Sequence, residues 1–487
     1  MRLLKDILYR SRMVHVQGST NIAVEHITMD SRTAKAFSLF VAIDGTVVNG
    51  HHYIDKAIAQ GAVAVVCEKM PEVFNENITY VQVLSSSEAL GFIASNFYDN
   101  PSEQIKVVAV TGTNGKTTTA TLLYRLARKL GFKAGLLSTV VNRINEREAE
   151  ATHTTPDAVA LNALLREMAD AGCTHCFMEA SSHALHQNRL AGVKLEGGIF
   201  TNITHDHLDY HKTFNDYIKA KKLLFDPLPA TAFALTNRDD NHGDIMLQNC
   251  NARKRTYALA TMADYKAKVV ENSFDGLHLN LDGQDTFTKL IGSFNAYNLL
   301  AVYATAIELG WDKMEVITEL SALDAPDGRF QHIRTSTGIT AVVDYAHTPD
   351  ALENVLDTIK DIRSGKEQVI TILGCGGDRD KTKRPLMARI AALKSDRVIL
   401  TSDNPRSENP EAIIQEMKAG LETAMMKKTL AVADRREAIK MACALAQPGD
   451  IVLIAGKGHE KYQEIQGIKH PFDDFAITSE TLNTLDK

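Results

Sequence analysis

Short apolar runs of strand length recur along the chain, and amphipathic stretches of helical period separate many of them. In the first segment LFVAI (39–43) and AVAVVCE (62–68) read as strands, and Asn100-Pro101-Ser102 punctuates its end. A second set opens at Val107, Val108 and Val110 and continues through AGLLSTV, HCFMEAS, GGIFTNIT and AFALTN, with helical patterns running to about Leu130 and over 157–171. From about 335 the alternation repeats in ITAVVDYAH, QVITILGCGGDRD, DRVILTSDNPR and DIVLIAGKGHE, separated by helices and each closing in a polar or glycine-rich loop. Strands alternating with helices predict parallel sheets covered on both faces, with ligands at the carboxyl ends of the strands. The expected fold class is α/β. A smaller N-terminal α/β domain would cover 1–103, a central parallel sheet with helices on both faces 104–333, and a Rossmann-like α/β domain 334–487. A chain of 487 residues is too long for one core and fits about three domains.

Composition narrows the partners. Hydrophobic residues are 44% and charged residues 23%, the balance of an ordinary soluble globular protein. Net charge is −6, so no surplus of Lys or Arg is present to hold a nucleic-acid backbone, and no nucleic-acid partner is expected. No apolar run is long enough to span a bilayer, and MRLLKDILYRSRMVHV has no long apolar core before a small-residue cleavage site. A cytoplasmic monomer with no membrane partner is expected. Of the six cysteines, Cys67, Cys173, Cys176, Cys250, Cys375 and Cys443, only Cys173 and Cys176 are close. A lone C-x-x-C is a weak zinc or redox signal, and these two flank an apolar stretch, so ordinary packing of reduced thiols is expected.

The most informative run is VVAVTGTNGKTTT (107–119). A β-branched strand, a glycine-bearing turn and a helix start describe a P-loop in the central segment. Its backbone N–H groups and helix N-terminus would hold phosphate, Lys116 would face the β/γ phosphates, and Thr117 Oγ1 would reach Mg²⁺. Gly112, Thr113, Asn114, Gly115, Lys116, Thr117 and Thr118 are the candidate ATP contacts. The general pattern places its first glycine at 110, where this chain has Val110, so the loop is a shortened variant.

THTTPD (152–157), MEASSH (178–183), TNITHDHLDYH (201–211), YIKAKKLLF (217–225), ALTNRDD (234–240) and GSFNAYNLLA (292–301) follow the P-loop in that order. With it they resemble the Mur ligases, the ATP-dependent amide-forming enzymes of peptidoglycan synthesis, over nearly the whole chain. The chemistry agrees: a carboxylate oxygen is a poor leaving group, ATP activates it as an acyl phosphate, and an amine attacks. Such a step depends mostly on positioning and charge stabilisation. The resemblance implies a catalytic set of Lys116, Glu179, His207, Lys221 and Arg329. It implies Thr117 and Glu179 as ligands of the Mg²⁺ shared with ATP, His207 near a second Mg²⁺, and Lys221 as a lysine carrying a CO2-derived carbamate. By residue chemistry alone Lys221 reads as a solvated helix cation and His207 as a core or surface histidine. Asn295 and Asn298 are similar to residues of the adenine side, and Asp344 to the acid that binds ribose. Arg329 matches the family's Pro-Gly-Arg turn, into which this chain inserts Asp327 between Pro326 and Gly328.

The branch of the family is implied by Asp403-Asn404-Pro405-Arg406, which resembles the signature of members that add meso-diaminopimelate. This amino acid differs from lysine by a distal carboxylate, which a guanidinium in a stiff loop grips with two parallel hydrogen bonds. Lysine would leave that arginine unpaired. Arg379, Gly456 and Glu460 resemble further contacts to the amino acid. Ser31 resembles a uridine-side contact, although a simple turn or helix cap also suits it. Thr154, Thr155, Ser181, Gln187 and Arg189 match positions that hold the muramoyl dipeptide and its diphosphate. The expected substrates are ATP, meso-diaminopimelate and UDP-N-acetylmuramoyl-L-alanyl-D-glutamate. The alternatives are a lysine-adding ligase of the same family, folylpolyglutamate synthase, and a nucleotide-binding protein without ligase activity.

Overall fold

The computed structural model describes residues 1–45, 48–149, 154–204, 206 and 208–487, so the candidate His207 lies outside the described residues. Three mixed α/β units follow one another. Six parallel strands form the centre of the molecule in the order Ala134–Leu137, His175–Glu179, Lys106–Thr111, Leu195–Phe200, Phe233–Asn237 and Arg253–Ala258. Most are buried on both faces, as a parallel sheet between helix layers requires. The helices Lys116–Lys129 and Ser293–Glu308 pack on one face with Leu122, Leu126, Leu299 and Val302. Ala158–Asp170 and Phe214–Lys222 cover the other with Leu161, Leu165, Tyr217 and Ile218.

Register decides what meets at the sheet's carboxyl edge. Lys106–Thr111 lies between two strands reached by opposite windings, with Val110 opposite Glu179 on one side and Thr111 opposite Phe200 on the other. The loop after Thr111 therefore opens between Glu179 and Thr201–Thr204, at a topological switch point.

The third unit repeats the plan with parallel strands in the order Thr340–Asp344, Ile451–Ala455, Val369–Cys375, Arg397–Ser402 and Thr429–Ala431, and the antiparallel strand Gln331–Arg334 at one edge. The first unit holds a five-stranded sheet that includes Ser38–Val41 and Ala62–Cys67. All six cysteines are buried and free; Cys173 and Cys176 pack with Met168 and Met178 in one core cluster.

The apolar pattern did not foretell Arg253–Ala258, the antiparallel strands Tyr265–Ser273, Gly276–Leu281 and Gln284–Thr288, or the hairpin Tyr462–Ile465 with Ile468–Pro471. Arg253–Ala258, Tyr265–Ser273 and the hairpin are partly exposed and mix charge with apolar groups, while Gly276–Leu281 alternates buried leucines with His278 and Asn280.

Candidate active site

The P-loop turn needs its glycines. A Cβ on Gly112, whose φ is 154°, would stand 1.9 Å from Thr201 Oγ1, and that hydroxyl donates to Asn114 O at 2.6 Å. Gly115 has φ 85°, and Asn298 Oδ1 lies 2.5 Å from where its Cβ would be. It caps the helix Lys116–Lys129 with no side-chain acceptor, so the first helical N–H groups point outward, as an anion site requires. Lys116 Nζ folds back to donate to Gly112 O at 2.8 Å and Thr113 O at 2.9 Å. Burial pulls this ammonium below its ordinary value, against the opposing pull of Glu179 and Asp206.

Thr117 Oγ1 donates to Glu179 Oε1 at 2.9 Å, and Thr139 N–H donates to the same oxygen at 2.7 Å. Glu179 Oε2 is buried and has no hydrogen-bond partner among the described residues. A buried, orphaned anionic oxygen beside a hydroxyl on a phosphate loop fits a hard divalent cation. Arg329 Nη2 donates to Thr117 Oγ1 at 3.1 Å, and its guanidinium lies 4.8 Å from the centre of the Tyr345 ring. Despite Asp327, the turn delivers Arg329 to this loop, and Gly328 (φ 64°) fits against the backbone of Gly458 and His459.

Asp344 is buried and accepts from Phe330 N–H at 2.7 Å; burial pushes its carboxyl up to about 6, against the Arg329 guanidinium. Asn298 Nδ2 donates to Asn295 Oδ1 at 3.0 Å, and both lie buried beneath the loop. Lys221 is 1% exposed with Nζ 4.3 Å from the centre of the Tyr217 ring. Burial, aided by the Lys116 ammonium, holds its amine well below the ordinary lysine range. An uncharged amine is the form that CO2 can modify, and the solvated-cation alternative does not describe this side chain.

The dipeptide candidates form one network. Thr155 Oγ1 donates to Glu179 O at 2.8 Å and accepts from Ser181 N–H at 3.1 Å. Arg189 Nη1 donates to Thr155 O at 2.7 Å, its Nη2 donates to Gln187 Oε1 at 2.7 Å, and Gln187 Nε2 donates to Tyr210 OH at 3.1 Å. Thr154 accepts from Thr139 Oγ1 at 3.1 Å. Ser31 sits buried in the turn after His26–Thr28, and among the described residues it shares no hydrogen bond with this network.

The amino-acid candidates meet at the carboxyl edge of the third sheet. Arg406 adopts φ 50°, a left-handed backbone that costs energy in a non-glycine residue. The hairpin supports it: Arg406 N–H donates to Glu464 O at 3.0 Å, and Gln466 N–H donates to Arg406 O at 2.8 Å. Its Nη1 donates to Gly377 O at 2.8 Å, and Nε lies 3.5 Å from Glu464 Oε2. Asn404 Nδ2 donates to Glu460 Oε2 at 2.6 Å, and Lys457 Nζ donates to Asn404 Oδ1 at 2.9 Å. Asp403 Oδ2 stands 2.6 Å from where a Cβ on Gly456 (φ 118°) would be, so only glycine fits there. Gly376 lies against both Arg406 and Arg379. The buried Arg384 holds this floor, donating to Gly376 O at 3.0 Å and pairing with Glu408 and Glu416.

A cleft of about 1830 Å³ joins the two halves, with Thr154 and Asp206 on the central side and Asp403, Arg379, Arg406 and Glu460 on the other. Asp350, in the first turn of the helix Pro349–Ile362, crosses the seam: its Oδ2 accepts from Asn114 Nδ2 at 2.7 Å and Thr204 Oγ1 at 3.0 Å. Sequence reasoning did not single out Asp350, Lys457, Glu464 or Tyr217. For Lys457 a signal existed in its place between two glycines after a buried strand; the others gain meaning only from the fold.

A P-loop sheet facing a charged pocket across a shared cleft defines a nucleotide-dependent enzyme that joins two further substrates. Residues 110–306 match the Mur ligase middle domain, 328–458 the Mur ligase glutamate ligase domain, and 23–98 the Mur ligase family catalytic domain. The chain is 56% identical over 485 residues to the UDP-N-acetylmuramoyl-L-alanyl-D-glutamate–2,6-diaminopimelate ligase of Cytophaga hutchinsonii, covering 99% of this chain and 100% of the relative. It is 52% identical over 481 residues to the protein of that name from Bacteroides thetaiotaomicron, covering 99% and 100%. A solved structure of a UDP-N-acetylmuramoyl-L-alanyl-D-glutamate–2,6-diaminopimelate ligase superposes with a TM-score of 0.69 at 36% identity, over 95% of this chain and 96% of that one. The chain belongs to the Mur ligase family.

Proposed function

We propose that this chain is the ATP-dependent ligase that joins meso-diaminopimelate to the D-glutamate of UDP-N-acetylmuramoyl-L-alanyl-D-glutamate. The observation that carries the reading is the single cleft, with Thr154 on one wall and Arg379, Arg406 and Glu460 on the other. The chain's identity to diaminopimelate ligases over almost its whole length supports the same branch. In this reading residues 1–103 hold the UDP end through Ser31, 104–333 bind ATP, and 334–487 bind the amino acid.

The γ-carboxylate of D-glutamate attacks the terminal phosphorus of ATP, ADP departs, and an acyl phosphate forms. The amine of diaminopimelate then attacks the acyl carbon, loses a proton, and phosphate leaves as the amide forms. Lys116 and Arg329 neutralise charge on the transferred group, and the outward N–H groups at 115–118 hold the phosphates in line. Thr117, Glu179 and His207 would hold Mg²⁺, which shields phosphate charge when bound. Lys221 would supply the anionic carbamate, for which its suppressed amine suits it. Asn295, Asn298 and Asp344 would serve the nucleoside, and Thr154, Thr155, Ser181, Gln187 and Arg189 would orient the dipeptide.

The guanidinium fork explains the choice of amino acid. Gly377 O takes one Nη1 hydrogen and Glu464 faces Nε, so the Nη1–Nη2 end is left for a distal carboxylate. The test is phosphate release with Mg-ATP and the UDP-dipeptide, comparing meso-diaminopimelate with L-lysine. Release with diaminopimelate alone is expected. Release with lysine alone would keep the family and reject the role of Arg406, and release with neither would return weight to a folate-type or non-catalytic reading.

A further inference from the structure

Lys457 has no role in the resemblance, yet it is fully buried, at 0% exposure, directly behind the cleft-lining Gly456 and Glu460. Its Nζ donates to Asn404 Oδ1 at 2.9 Å and to Glu460 Oε2 at 3.2 Å, and lies 5.5 Å from the centre of the Tyr462 ring. Asn404 Nδ2 donates to the same Oε2 at 2.6 Å, and Glu464 N–H donates to Asn404 Oδ1 at 2.9 Å. Both side-chain donors therefore converge on one oxygen of Glu460. Glu460 lines the cleft, so Oε1 is the oxygen left for a ligand. A second buried cation nearby behaves differently. Arg435 donates to both oxygens of Asp474 and to Ala455 O, a pair sealed in the core with no ligand to serve.

We propose that Lys457 is a positioning residue for amino-acid recognition: its ammonium and the Asn404 amide hold Oε2 of the Glu460 carboxylate, so that Oε1 meets the ammonium of the incoming amino acid that does not attack. The proposal rests on the ligase reading above.

The groups facing Glu460 come from two loops, the hairpin and a helix. Asp403 follows Arg397–Ser402, Tyr345 follows Thr340–Asp344, Tyr462 opens the hairpin, and Arg435, paired with Asp474, acts from within the core at the start of Arg435–Leu445. Burial and then Asp403 push the Glu460 carboxyl up; Lys457 and the Asn404 amide oppose them. Without Lys457 the upward push on Glu460 meets less opposition, so more of it carries a proton as pH falls. A neutral acid attracts an ammonium far less, so recognition would return only as pH rises.

The experiment follows KM for diaminopimelate from pH 6 to 9 in the full chain and in Lys457→Met. The variant is expected to raise KM about tenfold at pH 7, with the excess shrinking as pH rises, while kcat and the KM for ATP stay within about twofold. No change, or an excess constant with pH, would overturn the proposal. Should Lys457→Met fail to unfold cooperatively, calorimetry on the wild-type chain decides. Diaminopimelate binding is measured near neutral pH in buffers of different ionisation enthalpy, with the UDP-dipeptide and a non-hydrolysable ATP analogue present, and compared with Glu460→Gln. Ionised Glu460 predicts no proton exchange that Glu460→Gln abolishes; such exchange would overturn the proposal. If wild type turns over only L-lysine, the substrate reading fails, and the same pH series with lysine still tests Lys457, because both amino acids carry a non-attacking ammonium. Binding of neither amino acid overturns both.

Discussion

The loop after Lys106–Thr111 and the loop after Arg397–Ser402 occupy equivalent places at the ends of parallel strands, yet they hold charge in opposite ways. At the first, Lys116 rests on the loop's own carbonyls, and Glu179 Oε2 and Arg329 Nε lack partners among the described residues. At the second, charges are matched in place: Arg406 faces Glu464, Lys457 meets Glu460, and Arg384 binds Glu408 and Glu416. A triphosphate with its cation brings charge of both signs, so a site for it works best underpaired, with donors cheap to redirect. A small zwitterion that differs from a competitor by one carboxylate needs a lattice already fixed, because an unmatched group in that lattice penalises the wrong ligand.

The largest break in this contrast comes from the underpaired side. Lys116→Met removes the lysine that rests on the phosphate loop's carbonyls. It should lower kcat/KM on the order of 10³-fold with little change in melting temperature, since the bonds of Lys116 go to the loop's own carbonyls and it is not part of the hydrophobic core cluster beneath. A comparable loss of stability, read by thermal unfolding, would mean Lys116 supports the loop's fold instead.

Arg406→Ala attacks the matched side. Loss of charge-assisted bonds to a distal carboxylate corresponds to about 2–3 kcal/mol, roughly 30- to 150-fold in the KM for diaminopimelate. The KM for ATP should hold. Equal movement of both constants would mean Arg406 serves the fold.

The two loops also differ in how legible they were. The phosphate loop is contiguous, and strand, glycine turn and helix start all state their physics locally. The Asp403–Arg406 stretch is contiguous too, but its strained Arg406 depends on a polar hairpin at 462–471 whose exposed side chains carry no strand signal. Arg253–Ala258 escaped notice because it opens Arg-Lys-Arg and exposes that end, while its buried half is only Tyr257-Ala258. Burial decided Lys221, which residue chemistry alone reads as a surface cation. Asp350 and Asn114 are 236 residues apart, a pairing that no local pattern encodes.

Acidity sharpens the comparison further. Asp344 stands between the two regions with its carboxyl raised to about 6 by burial. A raised carboxyl binds its proton more tightly in the folded chain, so this group adds stability as pH falls through about 6 and withdraws it as pH rises. Function should run the other way, because the ionised form is the better acceptor for a ribose hydroxyl. The KM for ATP should climb several-fold as pH falls through about 6, whereas Asp344→Asn should give a raised KM without that Asp344-dependent climb. The terminal phosphate of ATP titrates nearby in both proteins alike, so the difference between the two profiles is the quantity to read. Parallel profiles would remove Asp344 from nucleotide binding.

The smallest effect should come from the seam. Asp350→Ala deletes hydrogen bonds to Asn114 and Thr204, each contributing about 0.5–1.5 kcal/mol. Neither bond belongs to one region alone, since the carboxylate comes from the third unit and both donors from the central one. The two regions must be docked for ATP and diaminopimelate to share the cleft, and weaker docking reduces the affinity of every ligand that needs it. The KM values for ATP and diaminopimelate should therefore rise together, roughly three- to tenfold, while that for the UDP-dipeptide stays near wild type. A change confined to ATP would place Asp350 within the phosphate loop's own support. A joint change means that the underpaired site and the matched site are held in register by one carboxylate, and that their opposite electrostatics work as parts of a single cleft.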